Sequence, residues 1–277
     1  MNKEYNYQET KPVELLYILG AGHCGSTLLN LCLDRHSAVV GVSEIITLNR
    51  KSPGWSGDKY VLDEKYWSEV DRVMQEKYNK SLTEVPFNLK ASLPFYNLAL
   101  QSNKEALEAI LEISKKSIIS DASKNSKRLE ALLQSKSFKV RVIYLVRDGR
   151  AIVHAYLRKY KSCLPGLYNL ISTDRAARRL MAKHGSENWL TIRYEDMATD
   201  LEGTLRNICS FSKINYESLM LHPDTSNFNG LGGNRLIKRP IDKIILDNVW
   251  QTEMPRIARF FTSIIVSKFN RRHGYKN

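Results

Sequence analysis

Residues Gly20 to Thr27 read G-A-G-H-C-G-S-T. Glycines let successive backbone N–H groups turn toward one centre, and a helix beginning there adds the positive end of its dipole. Gly22, His23, Cys24, Gly25, Ser26 and Thr27 are therefore candidate ligands of a phosphate or sulfate group. The segment nearly fits the nucleoside-triphosphate loop G-x-x-x-x-G-K-[ST], but Ser26 stands where the lysine that reaches the β- and γ-phosphates belongs. An ordinary ATP or GTP site is compromised by that change. The bland alternative is a glycine turn that merely joins a strand to a helix.

A second stretch with chemistry in it is V-I-Y-L-V-R-D-G-R-A-I-V-H, Val142 to His154. An arginine at the carboxyl end of a central parallel strand faces the crevice where open α/β sheets bind ligands, and a guanidinium grips phosphate bidentately. Arg147 is that candidate, with Arg150 bracing the loop or pairing with Asp148. A purely structural Arg–Asp pair is the competing reading. His154 and His184 lie in no carboxylate-rich pattern and read as packing or surface residues, and no acid–histidine cluster asks for a metal.

These residues need elements to hold them. Val13 to Leu19 is a continuous apolar run suited to a buried parallel strand, followed by a helix from about Thr27 to Asp34. From Lys51 to Leu89 the chain turns polar, with only weak helical periodicity at Tyr66 to Tyr78, and reads as an insertion over the core. Helical spacing returns at Lys104 to Ile113, ahead of a short strand at Ser117 to Ser120. Val140 to Val146 is the best strand, and a helix after it runs through Tyr160. Asp174 to His184 (helix), Trp189 to Arg193 (strand), Leu201 to Phe211 (helix) and Arg256 to Arg272 (helix) complete the pattern. Strands alternating with helices imply one α/β domain over residues 1–277, a P-loop-like parallel sheet flanked by helices, with residues 51–103 as a helical, acceptor-side insertion.

The two motifs together resemble the sulfotransferases that use 3′-phosphoadenosine-5′-phosphosulfate, above all the tyrosylprotein sulfotransferases and their soluble bacterial relatives. Gly25, Thr27, Leu28, Leu33-Asp34, His36 and Glu44 match that family in order and spacing, and Val142 to His154 matches its 3′-phosphate motif. The resemblance implies a 5′-phosphosulfate loop at Gly20 to Thr27 and a 3′-phosphate ligand in Arg147. It implies a general base in Glu44, although Ser43-Glu44 also looks like a helix start with an acid near its N-cap. Lys124, in D-A-S-K, inherits the role of steadying the leaving phosphate. Tyr194 of R-Y-E-D inherits a nucleotide contact, and Gly233, Asn234 and Arg235 a loop that closes over the adenosine diphosphate moiety. Two positions depart from the family. His23 replaces the usual Arg or Lys and is either a donor to the sulfuryl oxygens or the base itself. Ala155 replaces a serine that helps hold the 3′-phosphate, leaving Arg158 or Lys159 to compensate.

The 277 residues carry 42 Lys and Arg against 29 Asp and Glu, a net charge of +13 that predicts anionic partners. Four scattered cysteines make neither a disulfide framework nor a zinc site, and no apolar run is long enough to span a membrane. The expected partners are thus the nucleotide donor and a hydroxyl-bearing acceptor, without metal or nucleic acid, in the bacterial cytoplasm. Carbohydrate, tyrosine, lipid and small-molecule acceptors stay open. So do Trp55, Tyr60, Tyr66 and Trp67 as an acceptor groove or as packing, and the oligomeric state. Two other classes compete: a P-loop kinase or NTPase with Asp148 as magnesium ligand, and a non-catalytic binder of anionic polymers.

Overall fold

The computed structural model describes residues 11–48, 64–92, 94–232, 241 and 244–276. Trp55, Tyr60, Gly233, Asn234 and Arg235 lie outside the described residues.

Five strands form one wholly parallel sheet: β1 (Val13–Leu19), β2 (Val39–Ser43), β3 (Ile118–Asp121), β4 (Phe138–Val146) and β5 (Trp189–Arg193), in the order β2-β3-β1-β4-β5. Central β1 pairs with β3 from Glu14 opposite Ile118, and with β4 from Val13 opposite Phe138. The apolar runs in β1 and β4 follow from burial on both faces. Leu15, Tyr17, Val142 and Tyr144 enter one core, while Leu16, Ile18, Ile143 and Leu145 enter the other. Because the chain moves outward from β1 in opposite directions, the ends of β1 and β4 border the crevice where such sheets bind ligands.

The first core is covered by α2 (Lys65–Tyr78), α3 (Tyr96–Ser114), α4 (Ser126–Gln134), α5 (Gly149–Tyr160), α6 (Leu164–His184) and α10 (Arg256–Arg272). The second is covered by α1 (Ser26–Asp34) and α8 (Leu201–Ser212), while the short α7 (Tyr194–Thr199) and α9 (Trp250–Glu253) sit at the ends of longer elements.

Four differences from the sequence reading have physical causes. The strand β2 was not foreseen. Its interior Gly41 is required because a Cβ there would stand 2.6 Å from Asn30 Oδ1 and 3.1 Å from Asp34 Cβ. The helix α6 begins ten residues before Asp174, with Pro165 in its first turn, the one place a helix accepts proline at little cost. The helix α3 spans Tyr96–Ser114, well beyond Lys104 to Ile113. Finally, α2 does not lie over the core but forms part of it: Trp67 is 1% exposed, and its indole N–H donates to Asn229 O at 2.9 Å. Trp67 is therefore core packing and no acceptor-groove residue.

Candidate functional site

Residues 20–25 leave β1 and lead directly into α1. Two glycines there are fixed by neighbours. At Gly22 a Cβ would fall 2.3 Å from the Tyr156 hydroxyl oxygen. Gly25 has φ 97°, and a Cβ there would fall 2.6 Å from the Tyr194 ring. The Gly22 amide donates to Asn169 Oδ1 at 2.7 Å, so α6 holds the loop from outside. The apolar interior of α1 includes Leu28, Leu29, Cys32 and Leu33, which pack on the second core and fix the helix N-terminus beneath the loop. Cys24 is fully buried, and burial pushes its thiol pKa up, so it serves packing rather than chemistry.

Two polar residues of α1 and the turn after it dock the neighbouring strands. Asn30 donates from Nδ2 to Ser120 O at 3.0 Å and accepts from the Ser43 amide at 3.2 Å. Asp34 accepts from the Gly41 amide at 2.8 Å. His36 accepts from the Ala38 amide at Nδ1, and its Nε2 lies 2.7 Å from Asn215 O. Asp34 and His36, both part of the motif, thus hold structure and touch no reacting group. The strand β2 ends at Ser43, whose φ is 53°, and Glu44 follows directly.

Glu44 precedes a single 3₁₀ turn (Ile45–Thr47) but its side chain caps nothing. Its Oε1 instead receives Lys124 Nζ at 2.5 Å, and the same ammonium reaches Ser26 Oγ at 3.1 Å. A helical turn does start here, as the alternative reading expected, with Glu44 at its N-cap position, but the carboxylate is engaged by Lys124 and not in capping. Lys124, supplied by the end of β3, brings to the loop the cation that Ser26 does not.

The turn that aims Lys124 is braced from beneath. Arg128 is fully buried; its Nε donates to Asp121 Oδ2 at 2.9 Å, and its Nη1 to Phe87 O and Asn103 Oδ1. Asp121 Oδ1 accepts from the Ser123 amide, and Tyr17 Oη both donates to Asn125 O and accepts from its amide. Phe87 and Asn103 come from the stretch read as an insertion, so part of that stretch buttresses the site.

Backbone strain gathers here. Among the described residues seven non-glycines have positive φ, and four of them (Asn79, Lys115, Lys161, Lys213) end helices, where this conformation is ordinary. The other three are His23 (65°), Ser43 (53°) and Lys124 (54°). All three lie at the crevice, and such strain, about 1–3 kcal/mol a residue, persists only where the surroundings impose it.

Arg147 ends β4 almost wholly buried. Its Nη1 donates to His23 O at 3.0 Å and its Nη2 to Asp247 O at 2.9 Å, with Asp247 Oδ2 at 3.0 Å. Its guanidinium lies over the Tyr194 ring, 4.3 Å from the centroid, and its buried Nε has no partner among the described residues. The Tyr194 hydroxyl lies 3.4 Å from both Ile245 O and the Asp247 amide. Burial opposes ionisation of Asp247, but its hydrogen bond and charge pairing with Arg147 prevail and lower its pKa. A cleft beside Arg147 is lined by His154, Ala155, Arg158, Asp247 and Trp250, which puts Arg158 next to the missing serine. Arg150 pairs bidentately with Asp148 and braces the loop, as expected from the sequence.

The His23 ring meets Tyr156 edge-to-face with centroids 5.0 Å apart, and Tyr156 lies 5.5 Å from Tyr160. Burial lowers the His23 pKa, and Lys159, Arg147 and Lys124 push it the same way, so the imidazole is neutral at pH 7 in the donor-free protein. His154, buried on α5, is held neutral by burial and Arg158.

The structure thus brings together the loop, His23, Glu44, Lys124, Arg147 and Tyr194. Sequence reading missed Asn169, Tyr156 and Asp247. Tyr156 had a signal in its place one helical turn beyond Ile152 on the helix that Arg147 precedes; Asn169 and Asp247 had none.

A family model described as "Sulfotransferase family" matches residues 16–218. No curated protein matches by sequence. Among solved structures, the fold is similar to the sulfotransferase domain of the Synechococcus PCC 7002 olefin synthase (TM-score 0.65, 19% identity, 97% of each chain covered). It is also similar to the sulfotransferase domain of the curacin biosynthetic pathway (TM-score 0.60, 19% identity, 96% of this chain and 99% of that one). Sulfotransferase STF9 from Mycobacterium avium gives TM-score 0.56 at 13% identity, over 97% and 79% of the two chains.

Proposed function

Since the chain belongs to the sulfotransferase family, we propose that it moves the sulfuryl group of 3′-phosphoadenosine-5′-phosphosulfate to a hydroxyl acceptor, with Glu44 as the base. The observation that carries this reading is the meeting of Glu44, Lys124 and Ser26 in one hydrogen-bonded group at the loop that follows β1.

Residues 22–27 and the N-terminus of α1 would hold the 5′-phosphosulfate. Arg147, with its unpartnered Nε, would hold the 3′-phosphate, assisted by Arg158 in place of the serine replaced by Ala155. Tyr194 would back Arg147, and Gly233, Asn234 and Arg235 would close over the nucleotide.

In sulfuryl transfer an acceptor oxygen attacks sulfur in line while the bridging bond to phosphate breaks. Negative charge develops on the departing phosphate, where a fixed cation lowers the barrier; Lys124, whose ammonium reaches Ser26 Oγ, would be that cation. Glu44 takes the acceptor proton. His23, neutral in the donor-free protein, donates toward the sulfuryl oxygens once anionic charge raises its proton affinity. The scheme needs no metal. Acceptor selectivity is assigned to residues 51–103, where Phe95 and Leu98 stand exposed at the start of α3.

Calorimetric titration with 3′-phosphoadenosine-5′-phosphate, beside ATP with magnesium and 5′-AMP, tests the donor. Selective binding of the first supports the reading, whereas preference for magnesium–ATP overturns it in favour of a kinase. Glu44→Gln separates base from scaffold: donor binding is retained while turnover falls by about 10²–10⁴. Unchanged turnover removes Glu44 from the mechanism.

A further inference from the structure

The helix α10 buries one face and turns a second apolar face outward. Thr262, Val266, Phe269 and Asn270 point into the protein, and Asn270 ties the helix to the site loop through Gly149 N (2.9 Å) and Asp148 Oδ1 (3.2 Å). On the opposite side Ile257, Phe260, Phe261, Ile264 and Ile265 recur at helical spacing, each 50–74% exposed. Phe260 and Phe261 meet edge-to-face at 5.5 Å. No described residue covers this stripe, and five large apolar side chains on one helix face exceed the scattered singles normal for a surface.

Charge decides what covers it. The helix has no acidic residue from Arg256 to Arg272, while Arg256, Arg259, Lys268, Arg271 and Arg272 are all exposed. Lys268 and Arg271 continue the apolar stripe at the same helical spacing, and of these cations Arg272 is neutralised by Asp174 at 2.6 Å. A second copy on this face would set cations against cations. An anionic bilayer offers both partners at once, an acyl boundary for the phenylalanines and isoleucines and negative headgroups for the cations.

We propose that the outward face of α10 docks this protein on the surface of an anionic lipid membrane. The helix lies in the interface plane with Ile257, Phe260, Phe261, Ile264 and Ile265 at the acyl boundary and Lys268 and Arg271 among the headgroups. Because Asn270 fixes the helix to Asp148 and Gly149, docking sets the orientation of the neighbouring crevice relative to the membrane. The inference does not depend on the reaction assigned above.

The test is flotation of the full chain with vesicles of phosphatidylcholine alone and of phosphatidylcholine mixed with phosphatidylserine. Light scattering without lipid reports the oligomeric state. Binding is expected only to the mixed vesicles and weakens with added salt. The double variant Phe260→Ser/Phe261→Ser lowers it at least about tenfold, from the apolar area no longer buried. Lys268→Gln/Arg271→Gln lowers it by about thirtyfold, at roughly fivefold a charge. Neither variant alters nucleotide binding, which also reports correct folding. Absence of binding to the mixed vesicles overturns the proposal. So does undiminished binding of Phe260→Ser/Phe261→Ser, which would leave net charge alone as the cause. A wild-type dimer that this variant dissociates, with no vesicle binding, would assign the face to a second copy instead.

Discussion

Replacing Arg147 with alanine separates recognition of the 3′-phosphate from support of the loop. Arg147 has two roles that a binding measurement can confuse: its guanidinium holds His23 O and Asp247 O, and on the proposed reading it also holds the 3′-phosphate. Two hydrogen bonds to a charged phosphate contribute about 1.5–3 kcal/mol each, so Arg147→Ala weakens 3′-phosphoadenosine-5′-phosphate by about 3–6 kcal/mol, or roughly 10²–10⁴ in Kd. 5′-AMP lacks only the 3′-phosphate and experiences the same disturbance of the loop. Its affinity falls far less, within about tenfold, and the discrimination between the two nucleotides collapses. Calorimetry on wild type, Arg147→Ala and Arg147→Lys gives all six constants. Arg147→Lys keeps the charge but loses the planar fork, and falls between the other two. An equal loss for both nucleotides would refute the reasoning and leave Arg147 as a brace for the His23 carbonyl.

Three further outcomes are expected. The His23 pKa, lowered by burial and by Lys159, Arg147 and Lys124, rises when an anion neutralises those cations. The complex then binds more protons than the free protein, and nucleotide affinity increases as pH falls from about 7 toward 6; a flat pH profile, or one unchanged in His23→Gln, contradicts this. Arg128→Ala strands the buried Asp121 carboxylate and costs about 3–5 kcal/mol in denaturant unfolding, partly restored by adding Asp121→Asn; a loss under about 1 kcal/mol contradicts the buttress. Asp247→Asn removes the carboxylate that competes for Arg147, and since that side chain is 46% exposed the gain in nucleotide affinity is screened to about 1.4- to fivefold; weaker binding would show that Asp247 organises the site.

The parts of the fold legible from sequence are those where one residue pattern has one physical cause. The runs at Val13 and Val140 are strands because both faces of β1 and β4 are buried, and the glycines at 22 and 25 mark close approach of Tyr156 and Tyr194. The strand β2 is hidden because V-V-G-V-S is short and its central glycine imitates a turn, when in fact Gly41 makes room for Asn30 and Asp34. The first half of α6 is hidden by Pro165-Gly166, which imitates a break. Proline there sits in the first turn, and Gly166 gives way to Tyr156, whose Cβ would lie 3.0 Å from an added Cβ. Glu44 and Lys124 were singled out through the family resemblance, and Arg147 also through its place at a strand end. Their partners were not, since Asp247 meets Arg147 across 100 residues and Asn169 meets Gly22 across 147. Nothing local in L-D-N or Y-N-L announces such contacts.

The two cations that matter most to the proposed chemistry each hold a carboxylate of the protein itself. Lys124 holds Glu44 at 2.5 Å and Arg147 holds Asp247 at 3.0 Å. An anionic nucleotide entering the crevice meets these pairs rather than bare charges, so its binding is an exchange of anions. The two exchanges have different consequences. When a 3′-phosphate takes Arg147, Asp247 returns to water, where a half-exposed carboxylate is well solvated, and little is lost. On the proposed reading, a phosphosulfate that takes Lys124 would leave Glu44 without its cation. The contact by which Lys124 would steady the departing phosphate is, on that reading, also the one that would free the Glu44 carboxylate. Glu44→Gln and Asp247→Asn therefore differ in kind although each removes one carboxylate from one cation, the first silencing transfer and the second only easing nucleotide binding.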